Sequence, residues 1–114
     1  MLNGSSVDLV FHALGDPSRR AIVEQLSRKA STVSELAVPL GVTLAAVTQH
    51  LAVLEKSGLV RSKKIGRTRR CEIDPGGLAL VERWVAERRQ LWEQCFDQLE
   101  QLLKHDSDNE SNTT

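Results

Sequence analysis

The stretch VSELAVPLGVTLAAVTQHLAVLEKSGLVRSKKIGRTRR, residues 33–70, decides the fold. In it Val33, Leu36, Ala37 and Leu40 recur at helical spacing, and Gly41 is the small residue that a tight inter-helix turn requires. Thr43 can cap a second helix, on which Leu44, Val47, Leu51 and Leu54 form one apolar stripe. The opposite face carries Ala45, Gln49, Ala52 and Lys56, with Ala46, Thr48 and Val53 flanking it. A surface helix with no task is usually dotted with Glu and Lys, whereas one that slides into a groove needs small residues that let its backbone approach. Gly58 closes this helix, residues 59–65 read as a strand, Gly66 as the turn, and residues 68–74 as a returning strand.

Charge singles out the same region. The chain has 114 residues and a formal net charge of zero, which on its face argues against a polyanionic partner. The balance is segregated, however: +1 over residues 1–32, +5 over 33–70 and −6 over 71–114. Residues 61–70 hold six bases and no acid. A basic hairpin directly after such a helix pair predicts a nucleic-acid surface; the bland alternative is a solvated charged hairpin.

Outward from this centre, Val7, Val10, Phe11 and Leu14 give a first short helix, and Gly15 stands where a helix commonly ends in a left-handed residue. Asp16-Pro17 starts a second helix running to about residue 29, with Ala21, Ile22 and Leu26 inward and Arg19, Arg20, Glu24 and Arg28 on its solvated side. Ser31-Thr32 opens the third helix. Pro75-Gly76-Gly77 breaks the pattern before the longest helix, expected over residues 78–103. There Leu78, Val81, Val85, Trp92, Cys95, Leu99 and Leu102 follow a seven-residue repeat interrupted by Arg88, widened by Trp84, Leu91, Phe96 and Leu103. A small domain cannot cover so wide a face, so a homodimer is expected, with Val7, Phe11, Val81, Trp84, Val85, Leu91, Trp92, Cys95, Leu99 and Leu102 at its interface. One domain over residues 1–103 and a disordered polar and acidic tail over 104–114 complete the reading.

The expected fold class is mainly α with some β: five helices and a two-stranded β-wing, a winged helix-turn-helix paired through its first and last helices. The runs Leu14-Gly15-Asp16-Pro17-Ser18-Arg19-Arg20 and Val47-Thr48-Gln49-His50-Leu51-x-x-Leu54, with Leu59-Val60 before the basic wing and Asp74 before the last helix, resemble the ArsR (SmtB-like) family of bacterial repressors from about residue 7 to residue 103. The resemblance implies a dimeric repressor on an inverted repeat of double-stranded DNA, its fourth helix in the major groove and its wing at the minor groove. Metal-sensing members carry Cys-x-Cys after Glu-Leu in the third helix, or Asp, His, His and Glu on the last. Here Ala37, Val38 and Pro39 follow Glu35-Leu36, and residues 78–103 contain no His. The chain therefore looks like the metal-free, autorepressor-like branch, with no metal site and no cofactor; nothing in the sequence names an inducer.

Lys63, Lys64, Arg67, Arg69 and Arg70 are expected to neutralise phosphates; Arg67, next to Gly66, is expected at the minor-groove tip, the alternative being a phosphate contact alone. Gln49 can bond adenine in a bidentate manner, while Ala45, Ala46 and Thr48 can meet a thymine methyl or a base edge, and Gln49 could equally hold a phosphate. Thr43, His50 and Lys56 complete the expected DNA-contact set; His50 would touch phosphate or pack on the third helix. Cys71 and Cys95 read as packing residues outside any C-x-x-C spacing. A thiol-responsive repressor using Cys71 or Cys95 is the first alternative, Arg69 and Arg70 preceding Cys71. A winged-helix protein-interaction module is the second. No nucleophile, base and pocket assemble, so an enzyme is not expected. Without a leader or an apolar run of membrane-spanning length, the expected location is cytoplasmic.

Overall fold

The structure, a computed structural model, describes residues 6–112. Its elements are α1 (Ser6–Leu14), α2 (Pro17–Arg28), β1 (Ser31–Thr32), α3 (Val33–Leu40), α4 (Leu44–Ser57), β2 (Val60–Ile65), β3 (Thr68–Ile73) and α5 (Pro75–Asn112). The chain forms two compact units, Met1–Val81 and Glu82–Thr114, and α5 contributes to both.

In the first unit the stripes of α1 to α4 meet in one core. Val10, Ala13, Ile22, Leu36, Val47, Leu54 and Leu59 are fully buried there, with Leu26, Ala37, Leu51, Val60 and Cys71 nearly or wholly so. Each large aliphatic side chain removed from water in this way stabilises the fold by about 1.5–3 kcal/mol. The chain bends by 112° between α3 and α4, within the range of a helix-turn-helix. Gly41 makes that corner with φ 64°, and the N–H groups of Gly41 and Val42 donate to Val38 O and Ala37 O, closing α3 in a left-handed cap. Pro39 has no N–H to give Glu35 O; Gln25 Nε2 donates to that carbonyl at 3.1 Å instead.

Several features correct the sequence expectations. The sheet has three strands in the order β1-β3-β2, not two, because Ser31 and Thr32 pair with Cys71 and Arg70. Thr32 also caps α3 in a reciprocal box: its hydroxyl accepts from Glu35 N at 3.2 Å and its own N–H donates to Glu35 Oε1 at 3.0 Å. Two residues serve as strand and cap together, too few to show a period of two.

Gly15 is not left-handed; positive φ occurs at Gly41, Gly58 and Gly66. The end of α1 is satisfied by arginines placed by the sequence reading on a solvated face. Arg19 Nε and Nη2 donate to Ala13 O (2.7 Å) and His12 O (3.1 Å), and Arg20 Nη1 donates to Leu14 O (2.6 Å). Orphan carbonyls at a helix end carry partial negative charge, which a guanidinium both neutralises and hydrogen-bonds.

Pro75-Gly76-Gly77 is the first turn of α5 rather than a break. Asp74 Oδ1 accepts from Gly76 N at 2.9 Å, so Asp74-Pro75 repeats the start signal of Asp16-Pro17, where Asp16 Oδ2 accepts from Arg19 N at 3.0 Å. The helix also continues beyond residue 103, through residues assigned to a tail, to Asn112. Once nucleated, a helix gains one backbone bond per added residue, and Lys104 Nζ lies 3.9 Å from Glu100 Oε1 one turn back.

In the second unit Arg88, which interrupts the heptad pattern, stacks its guanidinium 4.5 Å over the Trp84 ring. Leu91, Trp92, Phe96, Leu99, Leu102 and Leu103 are exposed along the same helix.

Candidate nucleic-acid interface

The helix α4 starts at Thr43, whose hydroxyl accepts from Ala46 N at 3.1 Å, and stops at Gly58, φ 84°. Its buried residues are Val47, Leu51, Leu54 and Ser57. Leu44, expected on that stripe, is instead 54% exposed, because the first turn lies beyond the last core contact at Val47. Leu44, Ala45, Thr48, Gln49, Ala52 and Lys56 are exposed, whereas Ala46 is half-buried at the flank. Thr48 Oγ1 donates to Leu44 O at 2.8 Å. His50 is half-buried at the flank of this face, its Nδ1 lying 4.0 Å from Asp16 Oδ2 at the head of α2.

The hairpin closes over the two-residue loop Gly66-Arg67, Gly66 taking φ 63° and Arg67 an ordinary negative φ, the pattern of a hairpin turn led by glycine. Register then sorts the cations. Ser62 faces Cys71 and Lys64 faces Arg69, while Arg61 faces Glu72 and Lys63 faces Arg70. Side chains alternate between faces, so Lys64 and Arg69 share one side of the wing and Lys63 and Arg70 the other. Lys64, Arg67, Arg69 and Ser62 line an open hollow on the first side. The expected cluster of five is thus split over two faces, joined by Arg67 at the tip. Like charges directly opposite each other destabilise a hairpin, and a polyanion between them removes that cost.

Two of the wing cations are engaged within the protein. Arg61 Nε donates to Glu72 Oε1 at 2.8 Å, so its charge is neutralised across the strands. Arg69 Nε donates to Ser62 Oγ at 2.8 Å, and its Nη2 lies 3.7 Å from Glu55 Oε2. Ser62 Oγ in turn donates to Glu55 Oε1. Glu55 belongs to α4, Ser62 to β2 and Arg69 to β3, so this chain of bonds ties the wing to the helix. Arg69 therefore acts as an anchor as well as a surface charge. Sequence reasoning passed over Glu55, though the signal was available: residues 33–70 hold only two acids, Glu35 and Glu55. Both prove to be structural.

Cys71 sits fully buried on the central strand. Burial pushes its thiol up from the ordinary range, Glu55 adds to the rise, and Arg69 opposes it only weakly. Cys71 is therefore a buried thiol rather than the exposed, arginine-flanked one that its sequence neighbours suggest. Cys95 is exposed on α5. Of the residues expected at a dimer interface, Val81 packs against the core cluster; Val7, Trp84 and Val85 are half-buried and Phe11, Leu91, Trp92, Cys95, Leu99 and Leu102 exposed in the single chain. Among the described residues no single helix is long and apolar enough to cross a membrane.

Comparison with known proteins agrees with this geometry. A helix-turn-helix domain family matches residues 14–63, from the end of α1 into β2. The chain is 37% identical over 103 residues to the HTH-type transcriptional regulator Rv2034 of Mycobacterium tuberculosis, covering 90% of this chain and 94% of that one. A crystal structure of an ArsR family transcriptional regulator superposes with TM-score 0.72 at 44% identity, over 77% of this chain and 91% of that one. A winged helix-turn-helix DNA-binding domain from Mycobacterium bovis, described as homodimeric and as a possible ArsR-family regulator, shares the fold at TM-score 0.62 and 23% identity, over 79% of this chain and 94% of that one. With a basic wing mounted on an exposed helix-turn-helix, and with relatives matched over nearly their whole length, the chain belongs to the ArsR family of winged helix-turn-helix transcriptional regulators.

Proposed function

We propose that this protein is a repressor that acts as a homodimer on an inverted-repeat operator and takes no metal as its signal. One observation carries the reading: the exposed face of α4 bears no acid, and the wing tied to it through Glu55 and Arg69 presents Lys64 and Arg67 on one side and Lys63 and Arg70 on the other. Such a surface suits α4 in the major groove with the wing beside it on the phosphates and the minor groove.

Support for the dimer comes from the second unit. Leu91, Trp92, Phe96, Leu99, Leu102 and Leu103 are each more than half exposed in the single chain, a row of apolar side chains that calls for a partner; the M. bovis relative is described as a homodimer. Two copies related by a twofold axis present two α4 helices to two half-sites, hence an inverted repeat. A dimer seated there denies the site to other proteins, which is repression. The metal-free reading rests on the absence of thiolates after Glu35-Leu36, and among the described residues no three His, Cys, Asp or Glu side chains converge on a possible ion site.

The test is fluorescence anisotropy of the full chain on duplexes selected from a random pool, against scrambled duplexes, over a salt series, with light scattering alongside. The expected result is one dimer per selected site and a log–log salt slope that falls by about 0.9 for each phosphate-neutralising cation removed by mutation. Lys63→Ala, Lys64→Ala, Arg67→Ala and Arg70→Ala each lower it, whereas Arg61→Ala, whose charge Glu72 already offsets, does not. Equal weak binding to all duplexes would favour a protein-interaction module, and a monomer at micromolar concentration would refute the dimer.

A further inference from the structure

Resting on the proposed operator binding, we infer that Leu44 is a specificity-determining residue: the protein reads its half-sites through the methyl groups of thymine, with Leu44 as an apolar contact in the groove, and those half-sites are built from A·T pairs.

Leu44 is the first residue of α4 and stays 54% exposed, although a leucine gains most by burial. In helix-turn-helix docking the N-terminal residues of the second helix reach the base edges. An apolar side chain there has one complementary feature in the major groove, the C5-methyl of thymine.

The neighbouring side chains narrow the choice further. The Thr43 hydroxyl accepts from Ala46 N and the Thr48 hydroxyl donates to Leu44 O, so the helix fixes the orientation of both and each keeps only part of its bonding capacity for a base edge. Over residues 44–52 the exposed set is Leu44, Ala45, Thr48, Gln49 and Ala52. It includes no Arg or Lys, the usual partners of guanine O6 and N7, and no Asp or Glu to accept from cytosine N4. His50 is turned to Asp16, 4.0 Å away. Gln49 is left as the one amide on this face, and its bidentate complement is adenine. Methyl contacts to thymine and one amide contact to adenine describe an A·T half-site; the wing supplies charge without base identity.

The experiment replaces thymine by uracil, one position at a time, in duplexes selected by the full chain; the substitution deletes only the methyl. Expected are half-sites dominated by A·T pairs, a loss of affinity of about fourfold at each contacted thymine, and no change for uracil in the spacer. In Leu44→Ala, which alters an exposed side chain and leaves the core intact, the uracil penalty at one thymine of each half-site should largely vanish, a coupling that a merely structural role would not produce. Half-sites led by G·C pairs, or affinity unchanged by uracil at every half-site position, would overturn the inference while leaving operator binding standing. A pool that yields no preferred duplex would overturn both.

Discussion

Glu55 Oε2 on α4 lies 3.7 Å from Arg69 Nη2 on β3, with Ser62 bonded to both side chains. An acid so near a basic surface is costly unless it has a mechanical task, and the geometry supplies one: it ties the wing to α4. The arginine is 58% exposed and the glutamate 27%, so the pair contributes little to stability, within about 1 kcal/mol.

Glu55→Gln should therefore leave thermal stability nearly unchanged while altering DNA binding. Removal of the negative charge frees Arg69 for phosphate, so affinity for non-specific duplex rises and the salt slope steepens by up to about 0.9. The ratio of specific to non-specific affinity falls, because the wing is no longer held in register with α4. Anisotropy titrations on selected and scrambled duplexes check both; a parallel loss on the two would show that Glu55 merely supports the fold.

The helix order was legible where a helix carries both its own stripe and its own stop, as α3 and α4 do: Leu36 and Ala37 before Gly41, Val47 to Leu54 before Gly58. Legibility failed where a residue acts across distance or in two roles. Arg19 and Arg20 looked solvated because their partners are carbonyls of the preceding helix. Thr32 looked like a cap alone, its pairing with Arg70 lying far along the chain. In the site, charge counting found the wing but not its two-sidedness, which follows only from the register that sets Lys64 against Arg69 and Lys63 against Arg70.

Cys71 should be inert while the chain is folded. In register it lies between Ser31 and Ser62 on the central strand, and burial holds its thiol in the neutral form; the thiolate is the species that reacts. In a Cys95→Ser chain, a thiol reagent should modify Cys71 only as fast as the protein unfolds, and peroxide should leave DNA affinity unchanged. Because the folded thiol binds its proton more tightly than the unfolded one, the stabilisation is complete below the ordinary thiol value, about 8.5, and is lost as pH rises from there through the raised folded value. Rapid labelling at neutral pH in the absence of denaturant would show that the strand opens.

The helix caps predict the acid limb of stability. Asp16 titrates below the usual carboxylate range chiefly because Arg19 N–H donates to it, and Glu35 does so because the Thr32 N–H and hydroxyl bond to it. Both folded values lie below the unfolded ones, so the stabilisation is fully present above the unfolded values, about 4, and is lost as pH falls through the folded ones. Asp16→Asn keeps a good cap side chain and removes the titration. Urea midpoints between pH 7 and pH 3 should fall less steeply for this variant than for the parent; identical slopes would assign the acid limb to other groups.

Among the described glycines Gly77 leaves the least room for a side chain. Its N–H donates to Gly58 O at 2.9 Å, and Asp74 N donates to Leu59 O at 2.9 Å, joining the start of α5 to the end of α4. A Cβ at Gly77 would stand 2.6 Å from Gly58 O and 2.8 Å from Leu59 N, and both are backbone atoms with no rotamer by which to yield. Gly77→Ala should therefore cost about 1–3 kcal/mol, seen as a lower urea midpoint at unchanged denaturant slope. At Gly76 the same Cβ meets only the Asp74 carboxylate, at 3.3 Å, so Gly76→Ala should stay close to the parent. Equal stability of the two variants would show that α5 moves off Gly58 with ease. Because Gly58 ends α4 and Leu59 leads into β2, a loss confined to Gly77→Ala would identify the junction as the part that sets where α4 stops and the wing begins.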